Sequence, residues 1–220
     1  SQLVALALAS APLEGADRAW LDLCAGPGGK AALLGAMAAR NGARLVANEV
    51  APHRAGLVEQ AVRAVPSGVV QVRTGDGRAL GDAEPQEYDR VLVDAPCTGL
   101  GALRRRPEAR WRRQPSDLAP LGELQRGLLT SALQAVRPGG VVAYVTCSPH
   151  LAETTLVVDD VLRATARSGL GVERLDARAA VRRVAGGRDL DLGEGPGDVQ
   201  LWPHVHGTDA MFLALLHRTS

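Results

Sequence analysis

The chain has 220 residues, 46% of them hydrophobic, which is enough for one domain with a sizeable core. Its 25 basic and 24 acidic residues leave a net charge of +1, so neither a nucleic acid nor a small ligand is excluded and the placement of charge has to decide. Three cysteines, an odd number, argue against a disulfide framework and for a reducing compartment, here the cytoplasm, and no apolar run approaches the ~20 residues that cross a bilayer.

Residues 3–8 are apolar enough for a buried helix that Pro12 and Gly15 close. The stretch has no basic leader, so it is read as a helix and not as a signal peptide, and the chain is expected to be one part of a longer protein. Residues 19–23 form a first strand that runs into Cys24-Ala25-Gly26-Pro27-Gly28-Gly29-Lys30, and the Ala- and Leu-rich residues 31–40 continue as a helix. Arg44 to Glu49 is a second strand, ending on an acid, and Pro52 opens the next helix. A third strand, residues 68–73, ends at Thr74-Gly75-Asp76-Gly77. The fourth, centred on Val91 to Val93, runs into Asp94-Ala95-Pro96-Cys97-Thr98-Gly99. An irregular segment follows with Arg104, Arg105, Arg106, Arg110, Trp111, Arg112 and Arg113. Residues 118–136 are helical, and Pro138-Gly139-Gly140 turns into a fifth strand, residues 141–146, that ends at Cys147-Ser148-Pro149. A helix over 153–166, a strand over 171–175, a loop over 185–197 and a closing strand over 210–217 complete the chain. This alternation predicts an α/β, doubly wound sheet with helices on both faces.

The glycine loop is not a Walker A loop, because Cys24 and Ala31 stand where a glycine and a hydroxyl are needed, and its glycines do not have the dinucleotide spacing. A ligand without a pyrophosphate fits better. Glu49 at the end of strand two suits ribose hydroxyls, Asp76 at the end of strand three suits an adenine amino group, and a ring of acids suits a cationic sulfonium. Together these favour S-adenosyl-L-methionine. A free cysteine is ordinarily a small hydrophobe, the reading adopted for Cys24. Cys97 and Cys147 differ: each follows the carboxyl end of a probable neighbouring strand and should share a crevice with Asp94. No metal site is expected, since no CxxC or histidine cluster accompanies them.

Residues 21–30 (Leu-Asp-Leu-Cys-Ala-Gly-Pro-Gly-Gly-Lys), Asp94-Ala95-Pro96-Cys97-Thr98-Gly99 and Thr146-Cys147-Ser148 resemble three signature motifs of the RNA 5-methylcytosine methyltransferases. The resemblance is to the bacterial ribosomal RNA methyltransferase branch, the RsmB (Sun or Fmu) type, related to the NSUN proteins. It covers most of the chain. It implies a Rossmann-like class I S-adenosylmethionine-dependent methyltransferase fold, mostly parallel with an antiparallel end strand, in a single catalytic domain over residues 1–220. It implies that Cys147 is the nucleophile and that Cys97 assists release, while Cys24 to Lys30, Glu49, Arg54, Asp76 and Asp94 match the cofactor contacts. Departures are Gly26 where Ala is usual, Ala31 where Thr is usual, and Ala210-Met211 where Gly-Phe is usual. An amino-terminal RNA-binding region usually precedes such a domain.

Two thiols suit the chemistry. Cytosine C5 is a weak nucleophile until a thiolate adds to C6, and nearby arginines are expected to lower the pKa of Cys147. Asp94, raised in pKa by burial and neutral, is expected to hydrogen-bond ring N3, and Cys97 to assist the final elimination. Arg104, Arg105, Arg106 and Arg110, just past the Cys97 loop, are expected to hold RNA phosphates. The expected partner is RNA, ribosomal RNA first, with the protein a monomer. The alternatives are C5-methylation of tRNA or of DNA cytosine, or a non-catalytic RNA-binding assembly factor.

Overall fold

The computed structural model describes all of residues 1–220. In chain order its helices and strands are α1 (Gln2–Ser10), β1 (Ala19–Asp22), α2 (Gly29–Asn41), β2 (Arg44–Glu49), α3 (Pro52–Ala61), β3 (Val70–Thr74), α4 (Leu80–Ala83) and β4 (Tyr88–Asp94). They continue as α5 (Ala109–Arg112), α6 (Leu118–Ala135), β5 (Val136–Thr146), α7 (Thr155–Ser168), β6 (Val172–Leu175), α8 (Ala177–Val184), β7 (Val199–Gln200), α9 (Pro203–His206) and β8 (Phe212–Arg218). All eight strands join one sheet in the order β3-β2-β1-β4-β5-β8-β6, with β7 also paired to β8. The first five are parallel, and β8 runs antiparallel to β5, β6 and β7. The expected α/β sheet is therefore present, and its antiparallel strand slots between β5 and β6.

Strand periodicity divides the core between the two faces of the sheet. Leu92, Val141, Ala143, Val145, Leu213 and Leu215 pack with Val4 and Leu8 of α1, Leu34 of α2 and Val181 of α8. The alternate positions Val91, Val93, Val142, Tyr144, Ala214 and Leu216 pack with Leu129 and Leu133 of α6 and Val158 and Val161 of α7. Helices thus cover both faces, as long crossovers between parallel strands require.

Three local readings change. Pro138-Gly139-Gly140 is not a turn before β5 but a bulge inside it: Tyr88 pairs with Val136 while Arg90 pairs with Val141, so β5 carries three extra residues there. Gly139 supplies the positive φ of +81° that the bulge needs. Helix α8 was not foreseen, although Asp176 caps it by accepting from the amides of Arg178 and Ala179. Helix α7 begins at Thr155, and Glu153 sits instead in a 3-10 turn over Leu151–Glu153 that turns its side chain into the protein.

Candidate active site

The strand order reverses between β1 and β4, and the chain leaving these strands goes to opposite faces of the sheet. A crevice opens at such a point beyond the carboxyl ends of the strands, and every motif named above lies there. Pairing persists past the strand ends, since the Leu23 amide donates to the Leu92 carbonyl and the Ala95 amide to the Val145 carbonyl, both at 2.9 Å. The two chains therefore enter their loops side by side.

The glycine loop is drawn down onto the end of β2. Glu49, only 2% exposed, accepts from the Gly26 amide at 3.0 Å and from the Ala51 amide at 3.1 Å. A Cβ on Gly26 would lie 2.2 Å from Glu49 Oε2, and Gly28, at φ +110°, would put one 2.5 Å from Ala61 Cβ. The glycines thus let the loop pack closely on the end of β2 and on α3, where a side chain would not fit. Carboxylates stand at the end of β2 and just past β3, Glu49 and Asp76, with Asp94 at the end of β4, a set that suits ribose hydroxyls and a sulfonium. The residues present thus fit S-adenosylmethionine.

Three expected cofactor contacts, Arg54, Lys30 and Asp76, are paired within the protein. Arg54 Nη2 donates to the Gly26 carbonyl at 2.7 Å and Nη1 lies 3.7 Å from Glu49, so Arg54 braces the loop. Lys30 Nζ is 2.6 Å from Asp94 Oδ2. Asp76 is at the exposed rim, bound to Arg78 at 2.6 Å, which holds its carboxyl below the ordinary value.

The ion pair also corrects the role expected of Asp94. A carboxylate against an ammonium accepts hydrogen bonds, so Asp94 is not the isolated neutral acid foreseen for ring N3. Asp22 is the carboxyl that burial shifts: wholly buried with neither oxygen hydrogen-bonded, it is pushed up to about 7, first by desolvation and then by the charge of Asp94. Nothing in the sequence set it apart from an ordinary strand residue.

Cys97 and Cys147, 50 positions apart, bring their sulfurs to 3.4 Å. Cys97 is pushed far up, first by its hydrogen bond to Cys147 and then by burial. Cys147 is held below the ordinary thiol value, first by that same bond; burial and Asp94 oppose this, and Lys30 assists. Either sulfur can donate to the other, so the two thiols share one hydrogen bond and titrate as a pair, with Lys30 the positive charge on the Cys147 side. Lys30 is the leading positive charge on Cys147, and Arg105 of the expected cluster also interacts with it. Cys24 is pushed well up by burial and stays a thiol.

The two cysteine loops are joined from beneath by Glu153, which sequence reading placed only at the start of a helix. Its Oε1 accepts from the Thr98 amide at 2.7 Å and from Gln125 Nε2 at 3.2 Å; Oε2 accepts from Thr98 Oγ1 at 2.5 Å and Ser148 Oγ at 2.6 Å. Gly101 adds a backbone tie, donating to the Cys147 carbonyl and accepting from the Ala210 amide at 2.9 and 2.8 Å.

The arginine cluster separates by partner. Arg105 is ion-paired to Asp209, with Arg104 3.9 Å from the same carboxylate, so Arg105 is tied down rather than free for phosphate. Arg113 donates to the Thr98 carbonyl at 2.9 Å, holding the Cys97 loop. Arg106 and Arg110 are exposed with no acidic partner, and Arg110 lies 4.7 Å over the ring of Trp111, itself 76% exposed.

The chain is similar in sequence and fold to known proteins. The family model described as 16S rRNA methyltransferase RsmB/F matches residues 7–217. A putative methyltransferase of Mycobacterium tuberculosis is 58% identical over 218 residues, covering 99% of this chain and 44% of that protein. The mitochondrial tRNA (cytosine(34)-C(5))-methyltransferase of Danio rerio is 41% identical over 150 residues, covering 64% of this chain and 40% of that one. The crystal structure of NSun6 from Pyrococcus horikoshii with SFG superposes with a TM-score of 0.75 at 23% identity, over all of this chain and 52% of that one, a likeness of fold. The chain spans under half the length of the curated relatives it matches. A match over nearly every residue, with the glycine loop and both cysteine loops inside it, makes this chain a member of the RsmB/F family of 16S rRNA methyltransferases.

Proposed function

We propose that the chain is the methyl-transferring part of an enzyme that uses S-adenosylmethionine to methylate C5 of a cytosine in RNA, ribosomal RNA first. The observation that carries this reading is the pair of thiols 3.4 Å apart, with the Lys30–Asp94 ion pair at the same strand ends. Lys30 and Asp94 offer a donor next to an acceptor, which matches ring N3 and the 4-amino group of cytosine. With the base held by that edge, the Cys147 thiolate forms a bond to C6, and C5 gains the electron density it lacks. S-adenosylmethionine, when bound, supplies a methyl group on a sulfonium. Once C5 carries the methyl, its proton passes to solvent water as base and the electron pair of that C–H bond reforms the C5–C6 double bond, expelling Cys147 from C6 as the thiolate. Cys97, protonated and touching Cys147, assists that release.

Cys24 to Gly29 with Glu49, and Asp76 at the rim, form the cofactor side of the crevice. The base must be unstacked to reach it, so single-stranded or terminal RNA suits the site. Arg106, Arg110 and Arg112 are exposed cations without an acidic partner that suit phosphate, and Trp111 offers a face for a neighbouring base. The remaining RNA contacts belong to the rest of a longer cytoplasmic protein that acts as a monomer.

The test uses the parent protein with ribosomal RNA and, in a second arm, tRNA. Cys147→Ala should abolish methyl transfer, while Cys97→Ala should accumulate a covalent protein–RNA adduct on a denaturing gel. An adduct with Cys147→Ala and none with Cys97→Ala would reverse the two roles. Transfer to tRNA alone would replace the substrate.

A further inference from the structure

Glu153 takes no part in the chemistry just described, yet it is wholly buried and meets four donors from three separate segments. Each carboxylate oxygen accepts two hydrogen bonds, so its accepting capacity toward the protein is fully used. No lysine or arginine lies within ion-pair distance of it, and the hydrogen bonds alone hold a charge that is costly to bury.

The placement of the donors is informative. Thr98 follows Cys97 and Ser148 follows Cys147, so Oε2 receives one hydroxyl from each cysteine loop, at 2.5 and 2.6 Å. Gln125 of α6 donates both to Glu153 Oε1 and to the Pro96 carbonyl at 2.8 Å, which fixes the residue before Cys97. Tyr144 on β5 donates its hydroxyl to the Glu153 carbonyl at 3.0 Å and so fixes the carboxylate's own backbone. The two sulfurs meet directly above this clamp.

We propose that Glu153 is a positioning residue that sets the separation of the Cys97 and Cys147 thiols, and through it the covalent step. This rests on the two-thiol reading above. Its negative charge near Cys97 also helps to keep that thiol protonated.

Glutamine keeps the shape but brings an amide N–H₂ to an oxygen position that two donors already occupy, so at least one loop must release. The loops would then hold the thiols at a wider and more variable distance. Displacements of about 1 Å at reacting groups cost about 10²-fold in rate.

The experiment reads the thiol distance without using catalysis. Wild type, Glu153→Gln and Ser148→Ala are treated with diamide, which takes up the two thiol protons and two electrons as it becomes the hydrazine. The Cys97–Cys147 disulfide is timed by the mass of the bridged peptide. Melting temperature, calorimetric affinity for S-adenosylmethionine, and kcat and KM on RNA are measured alongside. Glu153→Gln should slow disulfide formation about tenfold or more and lower kcat about 10²-fold, with KM and cofactor affinity changed less than about twofold. Ser148→Ala should move the same quantities by less. An unchanged disulfide rate in folded Glu153→Gln overturns the proposal, as does a fall in cofactor affinity that matches the fall in kcat. If Glu153→Gln does not fold, an unchanged disulfide rate in Thr98→Val with Ser148→Ala overturns it. Failure of wild type to methylate any RNA would sink the proposed function, while the disulfide rates would still decide the role of Glu153.

Discussion

Asp22→Asn is expected to change the pH dependence of stability more than stability itself. Asp22 ends β1 with both oxygens buried and unpartnered, and its carboxyl is pushed from 3.8 to about 7 by desolvation and by Asp94. In the unfolded chain it ionises near the ordinary value, so between these two pKa values the folded state holds a proton that the unfolded state has lost. Stability must then fall as pH rises, by about 1.4 kcal/mol per unit, and level off above pH 7. From pH 5 to pH 8 the group therefore removes roughly 3 kcal/mol. Asparagine is of the same size and does not titrate. Urea unfolding of wild type and Asp22→Asn at pH 5, 6, 7 and 8 gives the difference directly, since the other titrating groups are common to both. The variant should gain on wild type by roughly 3 kcal/mol across that range. Parallel curves would refute the reasoning, because they would mean that Asp22 is solvated or paired in the folded protein.

Glu49→Ala should lose S-adenosylmethionine affinity in calorimetry by about 10- to 100-fold, since it removes two carboxylate hydrogen bonds to a ribose and leaves the Gly26 amide buried without an acceptor. Unchanged affinity would move the ribose elsewhere. Arg106→Ser with Arg110→Ser should lower the slope of log affinity against log salt for single-stranded RNA by about 1.4, at about 0.7 per phosphate contact. Arg105→Ser should leave that slope unchanged and lower the melting temperature, because Arg105 is spent on Asp209.

Legibility followed the range of the interaction. Strand β2 was readable to its ends, Arg44 and Glu49, because the apolar run Leu45-Val46-Ala47 stands between Gly42 and Pro52. The meeting of Cys97 and Cys147 was readable because both stand just past parallel strands, and β4 and β5 are neighbours. Side chains whose meaning depends on distant partners were not readable. Arg54 and Arg105 looked like ligand contacts and are braces, since Gly26 and Asp209 lie 28 and 104 positions away. Asp22 and Glu153 resembled a polar strand end and a first helical residue, because burial is set by layers that the local pattern does not name. Helix α8 did have a local signal, Asp176 ahead of an Ala- and Arg-rich run, and it was passed over.

Strand β8 lies inside the sheet although it follows every other strand along the polypeptide. A ribosome must therefore add Phe212 to Arg218 before β5 gains its second neighbour, and before Ala210 can close against Gly101 beneath the thiols. A product that stalled short of that point would expose an apolar ladder rung by rung, an invitation to aggregate, and would lack a finished reaction centre. Covering the sticky edge and closing the loop beneath the thiols thus fall to adjacent parts of one segment, Ala210 to Arg218.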